Sequence, residues 1–151
     1  MMPHYVRIWP SEPLPEIARF SPFKAVVILD GEYSSEWQRD VSDWLVLSGC
    51  LYVMAWGPNC SSWDDSVDWS NIGRFEGSEI PDENFVMTTW HDHESLESVF
   101  WFAGASAYHP HVELNETILL DVGQQNREAE FLELFKSAKT LPDREGSQPA
   151  R

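Results

Sequence analysis

The side chains with the clearest capacity for chemistry are His91, Asp92 and His93, which are adjacent in the chain. The apolar and β-branched run over residues 85–90 before them is typical of a strand, and residues 96–107 after them carry apolar side chains at helical spacing. Open parallel sheets hold their ligand sites at the carboxyl ends of strands, beside the following helices. We therefore expect the His-Asp-His cluster at such an edge, where imidazoles and carboxylates bind divalent metals or transfer protons.

A further carboxylate, Asp30, follows an apolar run over residues 23–29, so it is expected at the same edge of a parallel sheet. His91, His93 and Asp30 are thus candidate metal ligands, or candidate catalytic acid and base groups. A structural interpretation stands beside this one. The two histidines can be exposed turn residues, and Asp92 can cap the helix by accepting from its first backbone N–H groups.

The elements that would position these groups follow from the hydrophobic pattern. Apolar runs predict strands at residues 23–29, 50–56, 85–90 and 117–122, and amphipathic or capped segments between and after them predict helices. The order βαβαβαβα with short connections predicts a mostly parallel sheet of about four strands between two helical layers. We expect a small three-layer, flavodoxin-like or Rossmann-like α/β fold.

One domain is expected, over residues 23–140, because 151 residues suffice for one sizeable core. Residues 1–22 contain five prolines and predict an irregular lead-in, with an alternative short edge strand at residues 5–9. The tail over 141–151 is expected to be mobile. No apolar run approaches the ~20 residues of a membrane span, and the start of the chain has no signal-peptide pattern. We expect a cytoplasmic protein whose Cys50 and Cys60 are free thiols.

Several catalytic and nucleotide-binding motifs are missing from the sequence. It contains no GxGxxG, no GxxxxGK[ST] and no GxSxG, and no lysine occurs between Lys24 and Lys136. Nucleotide binding is therefore disfavoured, and we expect no cofactor.

Negative charge is concentrated in the middle of the chain. The net charge is −15, and residues 31–98 hold fourteen acids against Arg39 and Arg74, which makes 2 − 14 = −12 for that segment. Such a surface repels nucleic acid and anionic membranes, and it attracts a basic protein partner. Acidity that serves only solubility is the alternative explanation.

Six of the eight tryptophans lie in the same acidic segment, and aromatic side chains are common anchors of protein interfaces. A short acidic helix after residue 60 is predicted to present the partner-binding residues, which are Trp63, Asp64, Asp65, Asp68 and Trp69. The sequence thus predicts an acidic binding protein that masks a basic protein partner, of which an immunity-type inhibitor of a toxin is one example. The alternative is a metal-dependent or acid/base enzyme that uses His91, His93 and Asp30.

The motifs WHD at residues 90–92, FWFA at 100–103, HP at 109–110 and TILLDVG at 117–123 support a resemblance. The segment over residues 23–122 resembles a family of short uncharacterised bacterial proteins, known as a domain of unknown function. The resemblance implies no activity. In size and acidity the chain is also similar in type to toxin-immunity proteins.

Overall fold

The computed structural model describes residues 2–141, which form one sheet with helices on both of its faces. The sheet has five strands, which are β1 (His4–Ile8), β2 (Phe23–Leu29), β3 (Cys50–Trp56), β4 (Met87–His91) and β5 (Glu116–Val122). The four α-helices are α1 (Ser35–Leu47), α2 (Cys60–Arg74), α3 (Leu96–Ala105) and α4 (Glu128–Ala138). The strand order is β1-β5-β2-β3-β4, and each of the four pairings is parallel.

The three-layer, parallel α/β fold predicted from the sequence is confirmed. Helices α1 and α2 cover one face of the sheet, and α3 and α4 cover the other. All seven residues of the central strand β2 are buried, because helices cover both of its faces. Its odd-numbered residues, such as Val27, join the core under α1 and α2, and its even-numbered residues, such as Val26, join the core under α3 and α4.

The sheet has one strand more than the four expected, and the extra strand is β1. It lies within residues 1–22, which were predicted to be mostly irregular. The structure agrees with the alternative prediction, which was a short edge strand at residues 5–9. Val6 pairs with Leu120 in the parallel register of β1 with β5. Pro3 and Pro10 lie outside the two ends of β1, where a missing N–H breaks no ladder hydrogen bond. The predicted mobile tail, apart from Leu141, lies outside the described residues.

The second helix differs most from expectation. A short helix was predicted after residue 60. Instead α2 begins at Cys60 after Asn59, whose φ of 59° is left-handed, and it runs for 15 residues to Arg74. Because α2 spans the length of the sheet, it packs along both α1 and β4.

Local features of the sequence mark both ends of α1. Ser34 is its N-cap and accepts from the backbone N–H of Trp37. Gly49 follows the helix at φ 101°, and a Cβ there would overlap the Ser21 hydroxyl, so the position requires glycine.

Two further expectations concern the cysteines and the membrane. Cys50 and Cys60 are both buried free thiols, as predicted. Over residues 2–141, no helix has both the length and the apolar character that a bilayer crossing requires.

Candidate functional site

The His-Asp-His turn lies at the end of β4, where the sequence placed it, but its two imidazoles are in opposite environments. His91 is the last residue of β4 and its side chain is fully buried, whereas the side chain of His93 is 91% exposed on a left-handed turn residue with φ 64°. The expectation that both histidines are exposed turn residues is therefore wrong for His91. Asp92 does not cap the following helix, because Ser95 is the N-cap and accepts from the backbone N–H of Ser98.

The buried imidazole of His91 is held by hydrogen bonds at both nitrogens. Burial lowers its pKa to about 4, so the ring is neutral at pH 7. A carboxylate only accepts, so Nδ1–H donates to Glu94 Oε2 at 3.2 Å, and Nε2 accepts from the Thr89 hydroxyl at 2.8 Å. The ring also lies 5.1 Å from that of Phe102. His91 thus joins the strand end to α3 by packing and hydrogen bonding.

Asp30 lies at a different part of the same sheet edge, beyond the central strands. The chain leaves β2 toward α1 on one face of the sheet and leaves the neighbouring β5 toward α4 on the other face. This is the topological switch point, where open α/β sheets form a crevice. Asp30 accepts from the Tyr33 hydroxyl at 2.7 Å and lies 3.9 Å from the Arg127 guanidinium.

The main interaction at the switch point joins Arg127 to Asp121, whose side chain is fully buried. Arg127 donates from Nη2 to Asp121 Oδ1 at 2.5 Å and from Nε to Oδ2 at 3.3 Å. The Tyr5 hydroxyl donates to Asp121 Oδ2 at 2.5 Å and accepts from the backbone N–H of Arg127 at 2.9 Å. Burial and the bond to Asp121 raise the pKa of Tyr5 to about 12. Both carboxylate oxygens of Asp121 and the Tyr5 hydroxyl have partners within the protein, so the evident role of the network is to fix β1, β5 and α4 together.

The candidate metal or acid/base residues are therefore not brought together. Within residues 2–141, the structure contains one group of three or more His, Cys, Asp or Glu side chains whose ligand atoms lie within 4.8 Å of each other, and it excludes His91, His93 and Asp30. That group is Asp64, Asp65 and Asp68 on α2, which helical spacing alone places side by side.

The predicted partner-binding residues of α2 divide between core and surface. Trp63 and Asp64 are buried, with 1% and 8% of their surface exposed, because they face the sheet. Asp68 is half-buried and accepts from the Thr88 hydroxyl of β4 at 3.0 Å, and burial raises its pKa to about 6. Asp65 and Trp69 are exposed, and Trp69 is 71% exposed. Of the five, Asp65 and Trp69 are thus the most accessible to a partner.

Exposed Trp69 borders a groove of about 730 Å³ between α1 and α2. Small polar side chains line the seam of the two helices, with Ser42 and Ser66 hydroxyls 2.8 Å apart and Ser70 donating to Asp43 at 2.7 Å. Their small size leaves a depression between the larger side chains on each helix. Leu47 of α1, 69% exposed, is a second large apolar residue on the groove.

The sequence analysis missed Leu47 and the groove. The signal was present as serines at positions 62, 66 and 70, which repeat every four residues and form one face of α2. The sequence does not show, however, that α1 packs against that face, because this depends on the strand order.

The acidic segment over residues 31–98 exposes many carboxylates that pair with no lysine or arginine among the described residues. Ten of the fourteen acids in residues 31–98 are exposed. In the described part of the chain, no lysine or arginine nitrogen lies within 4.0 Å of any of them. The ten are Glu32, Glu36, Asp40, Asp43, Asp65, Glu76, Glu79, Asp82, Glu83 and Asp92. Two arginines, Arg39 and Arg74, line the groove itself together with Asp43 and Asp65.

Comparison with known proteins gives a family without an assigned activity. Neither the curated proteins nor the solved structures contain a match to this chain. A family model described as a domain of unknown function, DUF7684, matches residues 3–138, which include β1 and all four helices. The chain therefore belongs to the DUF7684 family.

Proposed function

We propose that this protein binds and masks a basic protein partner, which it holds on the face formed by α1 and α2. The observation that carries the proposal is the pair of exposed apolar side chains, Leu47 and Trp69, on one groove in a surface rich in unneutralised carboxylates. We infer a cytoplasmic location, in which reducing conditions keep Cys50 and Cys60 as thiols.

The apolar pair would supply most of the binding energy. A tryptophan buries about 200 Å² when it is fully covered. Since 71% of Trp69 is exposed, covering it removes roughly 140 Å² from water, which is worth about 3.5 kcal/mol at ~25 cal/mol per Å². Tryptophan is also enriched among the few residues that dominate interface energies. Leu47 lines the same groove, so a partner segment that occupies the groove can contact both residues.

The carboxylates would set the association rate and the choice of partner. Charges outside the contact area steer a partner of opposite sign, and salt screens this effect over about 8 Å at physiological ionic strength. Arg39 and Arg74 face the groove, where they can pair with a partner's carboxylate or backbone carbonyl groups. Binding that depends on both salt and Trp69 is the signature of this arrangement.

The test is capture of a partner from a cytoplasmic extract of the source cell on immobilised protein, followed by kinetics with the purified partner. Wild type is compared with Trp69→Ala and Leu47→Ala. Tyr108→Ala is the matched control, because Tyr108 is an equally exposed aromatic residue at 74% and does not line the groove. We expect wild type and Tyr108→Ala to retain the same basic protein, and the two groove variants to release it.

The kinetics separate the two parts of the proposal. The association rate should fall at least tenfold between about 50 and 500 mM salt, while the groove variants should mainly raise the dissociation rate. A partner that binds Trp69→Ala as tightly as wild type would refute the groove. The absence of any retained basic protein at low salt would refute the proposed function.

A further inference from the structure

The two walls of the α1–α2 groove are parallel helices of matched length. Gln38 donates to the Ser62 hydroxyl at 2.8 Å, and the Ser42 and Ser66 hydroxyls are 2.8 Å apart. The sequence separation is 24 residues in both pairs, so the two helices run in the same direction. The groove is lined by residues within 35–47 of α1 and 62–74 of α2. At 1.5 Å per residue each wall is about 18 Å long, the length of an α-helix of about 12 residues.

The backbone of these walls has little to offer an occupant. Residues 35–47 and 62–74 are helical throughout, so their N–H and C=O groups are bonded within their own helices except at the ends. An extended segment that is covered by the groove needs partners for a row of backbone N–H and C=O groups. An α-helix satisfies those groups internally. The groove therefore favours an occupant that is itself a helix.

The two exposed apolar side chains lie at nearly the same height on opposite walls. Leu47 is five residues beyond Ser42, and Trp69 is three residues beyond Ser66, the hydrogen-bond partner of Ser42. At 1.5 Å per residue, the two positions differ by only about 3 Å along the helix axes. A single turn of a helix in the groove thus lies between Leu47 and Trp69.

The exposed charges of the two helices sum to a negative value. The acids number four and the bases two, which gives 2 − 4 = −2. These residues are Glu36, Asp40, Asp43, Asp65, Arg39 and Arg74. Glu36, Asp40 and Asp43 share one side of α1, because they are spaced by four and three residues. Basic side chains that flank the apolar row of a bound helix can pair with this side of α1.

We propose, on the basis of the function proposed above, that the basic partner is held through one amphipathic α-helix that lies in the groove. Its apolar side chains, which repeat every three or four residues, contact Leu47 and Trp69. Its lysines and arginines, beside that apolar row, meet the carboxylates of α1. A second copy of this chain is a poor occupant, because both copies carry a net charge of −15.

The test uses a fluorescently labelled peptide of about 14 residues, long enough to span the groove, with leucine at helical spacing and lysine elsewhere. The matched probe has the same sequence with two central lysines in the D configuration, which disfavours a right-handed helix and leaves charge and apolar content unchanged. Both are titrated with the full chain at low salt and followed by fluorescence anisotropy. We expect a Kd below roughly 100 µM for the all-L peptide and binding at least tenfold weaker for the D-substituted peptide. Equal affinities, or no binding of the all-L peptide, overturn the proposal.

Variants locate the peptide. Trp69→Ala and Leu47→Ala change exposed side chains, so both should fold, and each should weaken binding of the all-L peptide at least fivefold. Tyr108→Ala is again the matched control and should bind the peptide as wild type does, because Tyr108 does not line the groove. Undiminished binding by Trp69→Ala would overturn the proposal, as would a dimer of the free chain in sedimentation that Trp69→Ala converts to a monomer.

Failure of the helix and failure of the proposed function give different results. Equal binding of the two peptides, together with a captured partner that Trp69→Ala releases, would reject the helix and retain the masking of a basic partner. Preference for the all-L peptide without any captured basic protein would retain the helix site and reject the masking function.

Discussion

The network at the switch point leads to a sharp prediction for Asp121→Ala. The side chain of Asp121 is fully buried, and it accepts three hydrogen bonds, two from Arg127 and one from Tyr5. Its removal leaves the guanidinium of Arg127, itself only 30% exposed, with Asp30 at 3.9 Å as its remaining ion pair among the described residues. Breaking a buried pair by removing one partner costs about 3–5 kcal/mol.

That cost is a large part of the 5–15 kcal/mol that typically stabilises a domain. At roughly 2–4 °C per kcal/mol for a chain of this size, the melting temperature should fall by about 6–20 °C. The measurement is urea unfolding with a parallel thermal melt. Glu12→Ala is the matched control, because Glu12 pairs with Arg7 at 2.9 Å but its side chain is 45% exposed. An exposed pair is worth at most about 1 kcal/mol.

The double variant Asp121→Ala, Arg127→Met completes a double-mutant cycle with the single variants Asp121→Ala and Arg127→Met. Since it removes both charges, its cost should be less than the sum of the two single costs by about 1–3 kcal/mol. Additive costs, or a loss below about 1 kcal/mol for Asp121→Ala, would refute the conclusion that this network joins β1, β5 and α4.

Further variants test the remaining contacts and charges. Phe100→Ala should cost about 3–5 kcal/mol in urea unfolding, because Phe100 is 1% exposed and packs on the ring of Phe135; a cost below 1 kcal/mol would contradict that packing. Ser95→Ala should cost about 1 kcal/mol as the N-cap of α3, and Asp92→Ala much less; the reverse order would restore Asp92 as the cap. The folded pKa of Asp68, about 6, lies above its unfolded value near 3.9, so ionisation destabilises the fold as pH rises from about 4 to 6. Asp68→Asn should therefore be more stable than wild type above pH 6 and equal to it below pH 4 in melts across pH, and a constant difference would contradict this. Moderate salt should raise the wild-type melting temperature by screening the unneutralised carboxylates, and a fall would show that they are already compensated.

The sequence predicted the location of the candidate site better than it predicted which residues meet there. The edge that holds His91 and Asp30 follows from parallel strands, and both residues lie at strand ends there. Their separation does not follow, since it depends on which strands are neighbours. The burial of His91 was also not predictable, because alternation along β4 does not show whether a strand end is covered by the next helix. Trp69 is exposed, as a candidate anchor requires, whereas Trp63 is buried; both lie on one helix, and the sequence does not show which face of that helix packs on the sheet.

The sequence by itself determined the features that depend on neighbours within a few residues. The continuous apolar run of β2 predicts a buried strand, the glycine after α1 predicts a helix end, and the apolar spacing in α3 predicts a helix. The order of the elements predicts parallel strands joined by helical crossovers. The excess of acid in residues 31–98 is likewise a property of composition.

The tertiary structure alone decided what meets across the chain. Tyr5 and Asp121 are 116 residues apart and share one hydrogen bond, and Lys24 lies 83 residues from the carbonyl of Ala107 to which it donates. The groove between α1 and α2 forms only because the strand order is β1-β5-β2-β3-β4. Periodicity shows which residues share one face of a helix or strand, but their burial and their partners depend on long-range packing, which no local pattern contains.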